Sequence, residues 1–170
     1  MKHRIAAPTV NPESDFPVGP LTKHFTWDDM RCRGFDSDPC RAIPPEKAIH
    51  NLTLVFTELA EPFTEFLKGY RIPKSPRVLT SYVCPKCATL RKLHTWDGHL
   101  YGRAVDLTFG HIKPMNSLYL KDIAMHWQLE TGVKCKFYMH YTCLHLELDR
   151  SIGFTIDYGG KRYGESLWEL

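Results

Sequence analysis

Apolar and polar side chains alternate without a break from Cys143 to Asp149. Leu144, Leu146 and Leu148 take one face, and Cys143, His145, Glu147 and Asp149 take the other. A period of two is that of a β-strand. A pure leucine face predicts one side in the core and one side lining a polar site, although an ordinary half-buried surface strand carries the same pattern. A second alternating run begins near Arg103, with Val105, Leu107 and Phe109 on one face and Asp106 on the other. Just before it, Gly102 permits a turn that leaves His99 on a loop.

Helical spacing governs the stretch after Pro44-Pro45-Glu46. Ile49, Leu52, Val55, Phe56, Leu59, Phe63 and Phe66 recur on one face through about Lys68, Pro62 should kink or restart the helix, and Gly69 ends it. Pro114 to Glu130 predicts a second helix, with Leu118, Leu120, Ile123, Ala124 and Trp127 inward and Gly132 as its stop. Thr26 should cap a short helix through Trp27–Met30. Arg77 to Tyr82 predicts a strand, and Val133 to Tyr138 pairs with Cys143 to Asp149 as a hairpin around Met139-His140-Tyr141-Thr142. Arg31 to Pro44 reads as a loop and Cys84 to Gly98 as a long connection. Phe154 to Tyr158, followed by Gly159-Gly160, reads as a further strand in the tail. These elements predict an α+β fold with a small central mixed or antiparallel sheet and helices packed on one face. Residues 1–20, rich in Pro, read as an extended arm, and 21–170 as a single domain.

Composition narrows the class. A chain of 170 residues with 43% hydrophobic content suits one domain with a sizeable core. A net charge of +3 is mildly basic, which suits an anionic partner and falls short of a nucleic-acid signature. No apolar run is long enough to span a membrane. The N-terminus lacks the apolar core of a signal peptide, so the protein is expected to stay in the cytoplasm as made, unless released or carried out.

His99 and Asp106 supply two-thirds of a catalytic zinc site, and His145 is the candidate third ligand. The six cysteines are Cys32, Cys40, Cys84, Cys87, Cys135 and Cys143. Cys84-Pro85-Lys86-Cys87 has the spacing of two thiolates on one metal, and with Cys32 and Cys40 beside it a structural zinc site would result. Disulfides and free thiols are the competing readings. A redox role for Cys84 and Cys87 would need a thioredoxin-like fold that the rest of the chain does not suggest.

His99-x-x-Gly102-x-Ala104-x-Asp106, with His145 on a later alternating strand, resembles the M15 peptidase family. These are zinc D,D-carboxypeptidases and endopeptidases of peptidoglycan that share a fold with the hedgehog signalling domain. Leu21 to Met30, Ile43 to Lys68 and Val78 to Tyr82 are similar to the compact phage and bacterial branch, so the likeness covers roughly residues 21–150, though only the metal motif is specific. The resemblance implies a zinc hydrolase with His99, Asp106 and His145 as ligands, acting on peptidoglycan stem peptides; the sequence leaves the oligomeric state open, with a monomer favoured. It also suggests a phage-encoded or virion-associated wall enzyme.

The chain departs from the family at two places. Cys143 and Thr142 stand where relatives carry the general base, which leaves Glu147 as first substitute, His140 as second, and Asp97 as a third. Cys143 is also a candidate fourth ligand that would close the zinc site. Ser81-Tyr82-Val83-Cys84 stands where relatives carry an Arg, with Arg91 or Arg103 the remaining sources of charge. His94, His111 and His126 read as surface or structural histidines. The alternative to an enzyme is a catalytically silent, zinc-stabilised domain that binds wall or protein.

Overall fold

The structure, a computed structural model, describes residues 9–11, 14–34, 40–70, 72, 76–109, 114–140, 143–149, 157–158 and 161–162. Its centre is a four-stranded sheet of β3 (Arg77–Thr80), β4 (Ala104–Thr108), β6 (Cys143–Leu148) and β5 (Cys135–His140), in that order, with every pairing antiparallel. The fold is therefore α+β, and the sheet is antiparallel rather than mixed.

Both predicted alternations hold. Val105, Leu107, Leu144, Leu146 and Leu148 are buried. They join one core with Leu52, Val55, Phe56, Leu59 and Phe63 from the long helical segment and with Ile123 and Trp127 from α4 (Pro114–Thr131). Each such side chain contributes roughly 1.5–3 kcal/mol by leaving water. Gly132, at φ +66°, follows α4 as expected.

The long helical segment runs as α1 (Glu46–Leu54), a π-helical stretch over Val55–Ala60, and α2 (Glu61–Leu67). Pro62 explains the wide turn. Its ring would collide with the carbonyl four residues back in a regular helix. The chain widens instead: the Glu61 N–H reaches the Phe56 carbonyl, five residues back, and the helix continues past the proline. The short turn Trp27–Met30 is 3-10 in form, and Asp29 secures it by accepting from the Thr26 N–H at 2.8 Å and hydroxyl at 2.9 Å.

Four elements differ from expectation. Residues 1–20 hold a hairpin of β1 (Thr9–Asn11) and β2 (Ser14–Val18), and Phe16 is buried edge-on against Trp27 at 6.5 Å. The connection after Cys84 contains a helix, α3 (Pro85–Arg91). Strand β3 stops at Thr80, where its register against β4 shifts, so Ser81 to Cys84 run as irregular backbone. Strand β5 starts two residues later than predicted and carries His140 at its end. In the tail, β7 (Asp157–Tyr158) pairs with β8 (Lys161–Arg162), while Phe154 to Ile156 lie outside the described residues. Among the described residues no helix is long and apolar enough to cross a membrane.

Candidate metal centres

His99 sits on a 3-10 turn, Gly98–Tyr101, whose second amide is capped by Asp97: its Oδ1 accepts from the His99 N–H at 2.9 Å. That bond occupies Asp97 in shaping the loop. The turn closes at Gly102, φ +66°, where a Cβ would lie 2.5 Å from the Ala48 carbonyl oxygen. Only glycine fits both the backbone angle and the space. The His99 Nδ1–H donates to the Ser81 carbonyl at 2.7 Å, which fixes the tautomer and leaves Nε2 facing Asp106 Oδ1 at 3.3 Å.

Asp106 and His145 are direct cross-strand partners on β4 and β6. His145 Nδ1 lies 2.7 Å from Asp106 Oδ1, and the two imidazoles stand edge to face with centroids 5.0 Å apart. One donor atom from each of His99, Asp106 and His145 lies within 4.8 Å of the others. A tetrahedral ion with bonds of about 2.0–2.1 Å spaces its ligands roughly 3.3 Å apart. The three donors are of the types such an ion takes, and the separation of His99 Nε2 from Asp106 Oδ1 equals that spacing. Burial opposes the Asp106 charge, yet the two imidazoles outweigh it and hold the carboxyl far below its ordinary value. Burial likewise disfavours the His145 cation, but Asp106 and Glu147 push its value up.

Glu147 takes a different place from the one its strand face suggested. Its Oε2 lies 3.8 Å from His145 Nε2, a buried nitrogen without a hydrogen bond, and its Oε1 lies 3.9 Å from Arg103 Nη2. A Cβ on Gly98 would come within 2.8 Å of that Oε1. Glu147 thus occupies a half-buried recess at the edge of the imidazole turned away from Asp106. Residues two apart on a strand share a face but sit nearly 7 Å apart along it, and here the ring of His145 lies between. Burial opposes ionisation of Glu147, and His145 with Arg103 overcomes it, so the value is lowered.

His140 is exposed at the end of β5, edge-on to Tyr138 at 5.0 Å and 6.3 Å from the His145 ring. Tyr138 stacks on His145 at 4.2 Å. Cys143 pairs with His140 and with Thr108, two cross-strand positions beyond the ligand pair, and is not in the group of three. Arg91 is committed to Thr80 and the Gly34 carbonyl, and Arg103 lies buried over Tyr101, so neither stands at the exposed rim with Tyr138 and His140. His94 stacks on Trp96, and exposed His126 bonds Tyr70 and Glu130, as surface histidines should; His111 lies outside the described residues.

The second cluster is made of Cys32, Cys40, Cys84 and Cys87, whose sulfurs all lie within 4.8 Å of one another. Cys40 and Cys84 approach to 3.6 Å, and the Cys84 N–H points at Cys32 Sγ at 3.5 Å. Burial and the neighbouring sulfurs push the Cys87 thiol well up. Cys135 and Cys143 stand outside this group.

No protein-family model, curated protein or solved structure matches the chain.

Sequence reasoning missed a third polar group. Buried Glu61 accepts from the Thr22 hydroxyl at 2.7 Å, the His24 N–H at 3.2 Å and His24 Nδ1 at 2.8 Å. Lys23 and Lys68 pair with the adjacent Glu65. Two lysines make this a brace between the Thr22–Phe25 turn and α2. The available signal was a glutamate set among apolar positions just before Pro62.

Proposed function

We propose that this protein is a zinc-dependent peptidase of M15 type, with a hedgehog/DD-peptidase-like fold, that hydrolyses peptidoglycan stem peptides or cross-links. The observation that carries the reading is the convergence of His99 Nε2, Asp106 Oδ1 and His145 Nδ1 at ligand spacing, with the far nitrogen of His99 tied to a backbone carbonyl. Three ligands leave a position open for chemistry.

Bound zinc would supply an acidified water and polarise the scissile carbonyl. The chain supplies the rest. The Ser81 carbonyl orients His99 by a hydrogen bond, and the Glu147 carboxylate, 3.8 Å from the nitrogen of His145 that does not face Asp106, would favour that ring's orientation by charge. We assign the general-base role to His140 rather than Glu147; its exposed ring, 6.3 Å from that of His145, supports the choice. The net charge of +3 favours an anionic wall polymer. The protein would reach that substrate after release from the cytoplasm or within a virion.

The second reading, a silent binding domain, draws on the placement of Arg91 and Arg103 away from the rim. Digestion of purified peptidoglycan separates the two. Muropeptide release by the zinc-loaded wild type, absent in His99→Ala, supports the peptidase. Retention on the wall without released peptides supports the binding domain, and neither outcome in zinc-loaded protein sinks both.

A further inference from the structure

We infer that Cys32, Cys40, Cys84 and Cys87 form a structural tetrathiolate zinc site that pins the segment Ser81–Cys84 on which His99 is oriented. The claim stands apart from the peptidase reading, because it concerns a different set of ligands.

Geometry favours a metal over the alternatives. A tetrahedral centre with metal–sulfur bonds of about 2.3 Å holds its sulfurs roughly 3.8 Å apart. The observed 3.6 Å between Cys40 and Cys84, with all four sulfurs inside 4.8 Å, matches that cage. Two disulfides would instead draw the sulfurs into two pairs, each at about 2 Å. Nor do the cysteines arrive by one local accident. Cys84 and Cys87 flank the first turn of α3, and Cys32 and Cys40 come from a loop some fifty residues earlier, tied together by the Cys32 N–H to the Ala42 carbonyl at 3.1 Å. The Cys84 N–H aimed at Cys32 Sγ is a donor that a metal thiolate, with its negative charge, would use.

The surroundings need such a clamp. Ser81 to Cys84 is buried backbone outside any strand. Within it, the Ser81 carbonyl holds His99 Nδ1 and the Val83 N–H donates to the His99 carbonyl at 3.2 Å. The Ser81 hydroxyl reaches the Asp29 carbonyl at 2.5 Å. Cys84 ends this segment, so fixing its sulfur fixes the carbonyl that aims the imidazole. On binding Zn(II), the four thiols release their protons to solvent and leave a site of charge −2, closed to substrate.

The test uses the full chain with the histidine site deleted, His99→Ala/His145→Ala. This variant should retain one equivalent of zinc, and X-ray absorption at the zinc edge should give about four sulfurs at about 2.3 Å. Its cobalt-substituted form should show intense thiolate-to-cobalt charge transfer in the near ultraviolet, lost in Cys84→Ser/Cys87→Ser. Should the double variant fail to fold, the charge-transfer spectrum of wild type loaded with two equivalents of cobalt decides the matter without any substitution, since three nitrogen and oxygen donors cannot give sulfur charge transfer. Cobalt bound without that band overturns the inference. So does an intact mass short by two hydrogens, with Cys40 linked to Cys84, in protein as purified and never stripped of metal.

Discussion

Glu147 Oε2 approaches His145 Nε2 at 3.8 Å, while Asp106 Oδ1 meets Nδ1 of the same ring at 2.7 Å. One imidazole is thus bracketed by two carboxylates, only one of which shares the ligand group. Glu147→Gln should therefore weaken zinc binding by about 10–100-fold while leaving kcat nearly intact at saturating zinc. A general base in that position would instead cost about 10²–10⁴-fold in kcat however much zinc is supplied. Zinc titration and turnover measured on one preparation separate the roles, and His140→Ala should show the converse pattern.

The same bracket sets a pH dependence. His145 has its value raised in the folded, metal-free protein, above about 6.5 for a free imidazole. Its contribution to stability is fully present below that value and is lost as pH rises through the raised one. Zinc competes with that proton, so zinc affinity should rise over the same interval as the metal-free protein loses stability. Urea unfolding of metal-free protein at pH 6 and pH 8.5, beside zinc competition at both, checks the two opposite slopes. A metal-free protein that gains stability towards pH 8.5 would contradict the assignment.

Gly102→Ala tests the turn that presents His99. Its φ of +66° and a Cβ 2.5 Å from the Ala48 carbonyl leave no room for a methyl group. The strained angle alone costs about 1–3 kcal/mol, and the clash adds to it. Chemical denaturation should show that loss, with reduced zinc retention because the turn carries a ligand. An unchanged midpoint would mean the loop is freer than its contacts indicate.

Cys135 stands apart from both clusters, and its thiol is pushed up to about 11 by burial and by Asp149. At pH 8 it should therefore be almost wholly protonated and slow to alkylate in the native state. Its rate should climb about tenfold per pH unit towards 11, since only the thiolate attacks. Peptide mapping after iodoacetamide treatment at several pH values measures this directly.

Local pattern was enough to determine the central strands and the two long helical segments and which face of the inner strands is apolar, but it passed over the β1–β2 hairpin and α3. The Leu144/Leu146/Leu148 and Val105/Leu107 stripes point inward because the strand period is two, and that follows from order along the chain alone. The same pattern put Asp106 and His145 on polar faces. The motif spacing then singled out His99 as their companion.

Tertiary structure decided everything that depends on which residues meet. Antiparallel register set Asp106 opposite His145, and the orientation of one imidazole put Glu147 beside the ring nitrogen turned away from Asp106. Neither strand period nor spacing carries a side-chain rotation. The π-helical detour around Pro62 and the irregular backbone at Ser81–Cys84 were likewise hidden, because each settles a conflict between a local residue and its long-range contacts. The four cysteines show the division most clearly. Their sequence permitted disulfides, free thiols or a metal alike, and only the tertiary fold brought the four sulfurs within 4.8 Å of one another at the start of α3.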